Sequence, residues 1–181
     1  MPGKVYIETP RLILRDWTDS DTEPYIALNA DREVMEFFPS AKNAAETIEQ
    51  IARLQTGITE RGYGFFAIER RDNGGFIGFT GLTQPGFDAW FTPCVEVGWR
   101  LSRQNWGYGY ASEAAAACLQ FGFETLGLSE IYSFTSIHNV RSEKVMQRIG
   151  MTQHGYFDHP SIENGHFLRK HVLYLIENRR N

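Results

Sequence analysis

The chain reads as a mixed α/β domain, and three observations predict it. Short runs rich in β-branched and aromatic residues alternate with longer segments whose apolar residues recur at helical spacing. Two of the short runs flank a tight turn bearing Asn and Gly, the mark of an antiparallel hairpin. With 181 residues, 42% of them hydrophobic and 14% aromatic, the chain can bury one substantial core, so residues 1–181 are expected to form one domain.

Taken in order, RLILR (Arg11 to Arg15) alternates polar and apolar residues as a half-buried strand does. TDSDTEP follows with helix-capping residues, Ser20 standing three positions ahead of Glu23, and predicts a helix to about Ala30. From Asn43, with Glu46 three positions on, Ile48, Ile51, Leu54 and Ile58 keep helical spacing until Gly62, which predicts a second, amphipathic helix. FFAIE (Phe65 to Glu69) and FIGFTGLT (Phe76 to Thr83) flank RRDNGG, where Asn73 and Gly74 tolerate positive φ, so a hairpin is expected. CVEVGWRL (Cys94 to Leu101) reads as a further strand. An Ala-rich helix is predicted from about Tyr110 to Leu126, closed by Gly127. IYSFTSI (Ile131 to Ile137) alternates as a strand, and HNVRSEKVMQRIG forms a short helix with Asn139 as N-cap and Gly150 just past its end. TQHGYF and LRKHVLYLIE then read as a closing strand pair around DHPSIENG.

Composition excludes several function classes. A formal charge of −4 and a pI near 5.7 argue against a general polyanion binder, because non-specific nucleic-acid binding needs a basic face. Cys94 and Cys118 stand in no metal-ligand spacing, and the five histidines form none that persuades, so no metal is expected. The N-terminus meets charged and proline residues before any signal-like stretch, and SEAAAACLQFGF is far shorter than the roughly 20 residues that span a bilayer. A cytoplasmic protein with no membrane partner is the expectation.

The most informative segment is Gln104, Asn105, Trp106, Gly107, Tyr108, Gly109, between a strand and a helix start. Successive backbone N–H groups there converge on an anion, the helix dipole adds a positive end, and glycine lets the main chain approach closely. A pyrophosphate fits such a loop, although glycine in strand-to-helix turns also serves merely to relieve backbone strain. The dinucleotide fingerprint GxGxxG fails at its third glycine, where Ser112 stands, and its acidic partner is replaced by His138 and Asn139. A nicotinamide-dependent oxidoreductase is therefore disfavoured.

QNWGYG resembles the Q/R-x-x-G-x-G/A acyl-CoA loop of the GNAT acetyltransferase superfamily, and VEVGWRLSRQNWGYGYASEA resembles its RimJ/RimL branch, the ribosomal-protein N-terminal acetyltransferase type. ETPRLILRDWTDSD, HNVRSEKVMQRIGM and HVLYLI agree with that branch in order, from about Glu8 to Glu177. The resemblance implies a mixed, mostly antiparallel central sheet, splayed beside the strand Cys94 to Leu101 and flanked by about four helices. It implies acetyl-CoA as co-substrate, with Val97, Gly98, Trp99 and Leu101 along the pantetheine arm. The loop Gln104, Asn105, Trp106, Gly107, Tyr108, Gly109, Tyr110 and Ala111 would hold the pyrophosphate. Asn139 and Ser142 would lie at the pantetheine and thioester end, with Lys144, Arg141 or Arg148 available to the adenosine phosphate or serving as a solvated helix face. A monomer or a homodimer is compatible with it.

Aminolysis of a thioester needs a neutral amine, a polarised carbonyl and a proton for the thiolate, the second of which a backbone N–H of the strand ending near Leu101 can supply. Glu96, alone among apolar neighbours on the cleft strand, is the candidate base; its alternative is an ion pair with Arg100. Many GNAT enzymes carry a tyrosine acid near four residues past the Ser142 position, where this chain has Val145, Met146 and Gln147, so Ser142 is the substitute donor. The aromatics Phe37, Phe38, Phe87, Trp90 and Phe91, and more speculatively His159 and His166, are expected near the acceptor, or else build core. Holding an α-amine of pKa near 8 neutral costs about 1 kcal/mol at pH 7.4, against about 4 kcal/mol for lysine, which favours a protein N-terminus or small-molecule amine. A coenzyme-binding sensor without turnover is the alternative.

Overall fold

The computed structural model describes residues 3–178. Eight strands form one sheet: β1 (Val5–Glu8), β2 (Leu12–Arg15), β3 (Phe65–Arg70), β4 (Phe76–Thr83), β5 (Glu96–Leu101), β6 (Glu130–Ser136), β7 (Thr152–Asp158) and β8 (Lys170–Glu177). Their order across the sheet is β1-β2-β3-β4-β5-β6-β8-β7, and every neighbouring pair is antiparallel except β5–β6. Four α-helices join them: α1 (Thr22–Ala30), α2 (Ala44–Arg61), α3 (Tyr110–Glu124) and α4 (Val140–Arg148).

Local chemistry places these elements. Asn43 caps α2 by accepting from Glu46 N at 2.9 Å while the Glu46 carboxylate accepts from Asn43 N at 2.8 Å, the reciprocal box the spacing predicts. The first helix is entered differently. Its box is formed by Thr18 and Asp21 around a 3-10 turn at Asp19–Asp21, not by Ser20 and Glu23, because the Asp21 carboxylate is already held inward by Arg15. In the hairpin turn Gly74 alone takes positive φ; Asn73 instead accepts from Gly75 N at 2.9 Å through its side chain. Strand β1, VYIE, is not among the strands that the sequence predicts, and it exists through its pairing with β2.

The sheet is covered on both faces. Helix α3 packs on β4 and β5, where Leu82, Val97, Ala114, Ala115 and Cys118 are buried; α1 and α2 cover the other face around Tyr25, Phe79 and Ile58. Fully burying a side chain the size of Leu82, Val97, Phe79 or Ile58 contributes about 1.5–3 kcal/mol. A second cluster, Phe91, Tyr132, Phe157 and Leu173 with Phe87 and Phe134, lies on β6, β8 and β7 beneath the loop that precedes β5.

Candidate active site

The site is a gap in the sheet. Strands β5 and β6 pair at a single position, Glu96 with Tyr132, after Tyr132 N donates to Val95 O at 2.9 Å. One residue on, the Ser133 hydroxyl donates to Val97 O at 2.9 Å, and beyond it β5 is paired only to β4 as far as Leu101. Gly98 O turns toward β4 and accepts the Thr80 hydroxyl at 2.9 Å. Because strand residues send their backbone groups to alternate edges, the N–H and C=O of Trp99 face the gap.

The far end of β5 opens into the glycine loop. A 3-10 turn at Arg103–Asn105 is fixed by the buried Asn105 amide donating to Ser102 Oγ at 2.8 Å, and the Trp106 indole closes the strand by donating to Leu101 O at 2.9 Å. Gly107 and Gly109 then take φ of +83° and +81°, a conformation in which other L-residues are strained. The result is a run of backbone N–H groups, Gly107 through Ser112, with no acceptor among the described residues, at the N-terminus of the 15-residue α3. Free N–H groups and the helix dipole together make a seat for an anion. Neighbours brace it: Arg11 donates to Tyr108 O at 2.9 Å, lies over the Tyr110 ring at 4.7 Å, and pairs with Glu113 at 2.6 Å. Glu113 also accepts from Thr9 Oγ1 at 2.6 Å. Burial alone would raise the Glu113 carboxyl, but these hydrogen bonds hold it below its ordinary value. Gln104 and Tyr108 are exposed; Tyr110 is buried and Ala111 partly so.

Across the gap, α4 begins where β6 ends. Asn139 caps it, accepting from Ser142 N at 3.2 Å while its own amide donates to Thr135 Oγ1 at 3.0 Å. The half-buried Ser142 hydroxyl makes no hydrogen bond among the described residues, so it is not the local backbone partner that helix-end serines often are. Arg141 pairs with Glu36 at 3.0 Å and lies 4.4 Å over Trp106, tying α4 to the opposite rim; Lys144 and Arg148 are exposed.

Side chains of β5 divide by face. Val97, Trp99 and Leu101 point to α3, while Glu96, Gly98 and Arg100 point to the α1 side. Glu96 is half-buried, and burial pushes its carboxyl up from 4.5 to about 8. It has no ion pair with Arg100, whose guanidinium bonds Asn29 instead, donating to Oδ1 at 2.7 Å. Of the predicted acceptor-side aromatics, Phe38 lies over Arg100 and Phe37 near Arg141, whereas Phe87 and Phe91 pack into the second core cluster and Trp90 lies outward on His154. His159 joins that cluster beside His171, whose imidazole burial lowers to about 4; His166 sits apart on Phe167. Among the described residues no group of three His, Cys, Asp or Glu side chains is placed to hold a metal, and no helix is long and apolar enough to cross a membrane.

Comparison with known proteins gives the chain a family. Residues 11–152 match the family model of the acetyltransferase (GNAT) domain. The uncharacterised N-acetyltransferase YoaA of Bacillus subtilis is 32% identical over 166 residues, covering 88% of this chain and 89% of its own length. A GNAT-family acetyltransferase structure from Bacillus anthracis superposes with a TM-score of 0.76 at 25% identity, covering 98% of each chain. RimL, a ribosomal L7/L12 α-N-protein acetyltransferase solved with coenzyme A, gives a TM-score of 0.75 at 16% identity over 96% of this chain and 98% of its own, a likeness of fold alone. The chain therefore belongs to the GNAT acetyltransferase family, and it shares the fold of RimL among that family's solved structures.

Proposed function

We propose that this protein transfers the acetyl group of acetyl-CoA directly to a primary amine, in a ternary complex without a covalent enzyme intermediate. The observation that carries this reading is the gap itself: one strand edge bare of its neighbour, running into six free N–H groups at a helix start. An extended pantetheine arm with a pyrophosphate at its end is complementary to both. In this assignment the N–H groups from Gly107 to Ser112 hold the pyrophosphate and the Trp99 N–H polarises the thioester carbonyl. Glu96 takes the proton of the attacking amine, since a carboxyl raised to about 8 binds a proton readily near neutrality. The amine nitrogen bonds to the carbonyl carbon, the carbon–sulfur bond breaks, and the thiolate receives its proton through the Ser142 hydroxyl, which solvent replenishes.

The acceptor assigned is an α-amine of a protein N-terminus or a small molecule, because a single carboxylate base suits a weakly basic amine better than lysine. The absence of tyrosine at Val145, Met146 and Gln147 favours one second reading, an acyl-CoA sensor without turnover. Thiol release from acetyl-CoA across N-terminal peptides, lysine peptides, polyamines, amino sugars and small amines tests both. Release with any amine supports transfer; verified coenzyme binding with silence across the panel supports the sensor.

A further inference from the structure

Among the described residues two arginines are nine-tenths or more buried, and only one of them has anionic partners. Arg15 is held by Asp21 and Glu69, each at 2.7 Å. Arg100, 9% exposed, has none: its Nη1 donates to Asn29 Oδ1 at 2.7 Å, and its Nε is buried without any partner. Phe38 and Phe79 rings lie 4.0 and 5.3 Å from its guanidinium carbon, and the nearby Tyr25 hydroxyl is likewise buried and unpartnered. Asn29 is itself held by Thr47 and Gln50, so the guanidinium is fixed in place by a neutral group. An arginine stays charged when buried, and a buried charge left unpaired is costly unless a counter-ion arrives.

The position of this cation gives it a use. It shares a face of β5 with Glu96, about 13 Å away along the strand at the usual rise per residue. Between them is Gly98, where a Cβ would meet the Phe65 ring at 3.1 Å, so this ring lies over the strand midway between carboxyl and guanidinium. The coenzyme's phosphate seat lies at the start of α3, the helix that packs on the opposite face of β5. The Nε edge of a guanidinium offers two parallel N–H donors, the pattern a carboxylate accepts.

We propose that Arg100 is the anion-recognition residue of the acceptor site, and that the acceptor is an amine carrying a carboxylate, which docks on the free Nε edge while the amine lies toward Glu96. The amine half rests on the transfer reading above; the anion half does not. Butyrate and butyramide separate the two. At constant ionic strength butyrate raises the Tm of the wild type and butyramide does not. Arg100→Met, which keeps the chain length without the charge, loses the butyrate shift, as does Asn29→Asp, which supplies an internal carboxylate; the second variant carries the test if the first does not fold. In turnover, glycylglycine, an α-amine with a free carboxylate, exceeds glycylglycinamide in kcat/KM by about tenfold or more in the wild type, and Arg100→Met brings the ratio near one with acetyl-CoA affinity unchanged. No butyrate shift, or one that survives both variants, overturns the proposal. So does an Arg100→Met variant that loses acetyl-CoA affinity instead, since the anion is then the coenzyme's. A butyrate shift that depends on Arg100, with no amine acetylated, leaves the anion site standing and refutes the transfer reading alone.

Discussion

Replacing Glu96 by Gln removes the assigned base and keeps its shape, and it has two separable consequences. The carboxyl moves from 4.5 to about 8 on burial, which at 1.36 kcal/mol per pH unit corresponds to an upper bound of about 5 kcal/mol. The folded state keeps this proton where the unfolded state has lost it, so the wild type is stabilised below pH 4.5 and loses that stability as pH rises through the window to about 8. Glu96→Gln is free of that loss. Its stability relative to the wild type, from urea melts at pH 5 and pH 8.5, therefore rises by about 2–4 kcal/mol between the two. Activity moves the other way. With an acceptor of low basicity, neutral throughout the range, wild-type kcat/KM climbs about tenfold per pH unit and levels off near 8, while the variant loses both the slope and about 100-fold or more of the rate. A variant that keeps the inflection and turns over within a few-fold of wild type removes Glu96 from the chemistry; an unchanged stability difference across pH shows that the carboxyl is not desolvated.

Gly107→Val forces a β-branched residue into positive φ and crowds the free N–H groups, so coenzyme affinity should fall by about tenfold to a hundredfold in a variant verified as folded by circular dichroism; calorimetric affinity near wild type excludes the loop from the site. Ser142→Ala should lower kcat about tenfold or more with little change in acetyl-CoA Kd, and equal turnover reduces Ser142 to a helix-end residue. Arg15→Ala strands the buried Asp21 carboxylate and should cost about 3–5 kcal/mol in urea unfolding without altering coenzyme affinity in the protein that remains folded.

Most elements were legible because their signals are local. The Asn43–Glu46 box, the alternation of β3 and β4 and the glycines after the helices each act over a few residues, and each lies where the spacing predicts. The glycine loop was legible for the same reason, since a left-handed backbone beside a helix start is written in glycine. What depended on the third dimension was not. Strand β1 is made by pairing, the Thr18–Asp21 cap by a carboxylate shared with Arg15, and the burial of His171 by the far ends of three strands. Arg100 is the instructive case. Alternation put it on the face of Glu96, which made it the obvious counter-charge, but a strand holds residues four apart too distant to pair, and the structure gives the guanidinium a neutral neighbour instead.

The single-position pairing of β5 and β6 makes the gap a wedge with a closed tip. A linear guest entering from the Leu101 side can advance only until the strands meet, and the Ser133 hydroxyl, bonded to Val97 O, is the stop. Depth along the wedge is thus a length gauge whose zero mark is set by one hydroxyl. Just beyond that mark stands Glu96, so the carboxyl lies at a fixed distance from whatever end of the guest reaches the tip.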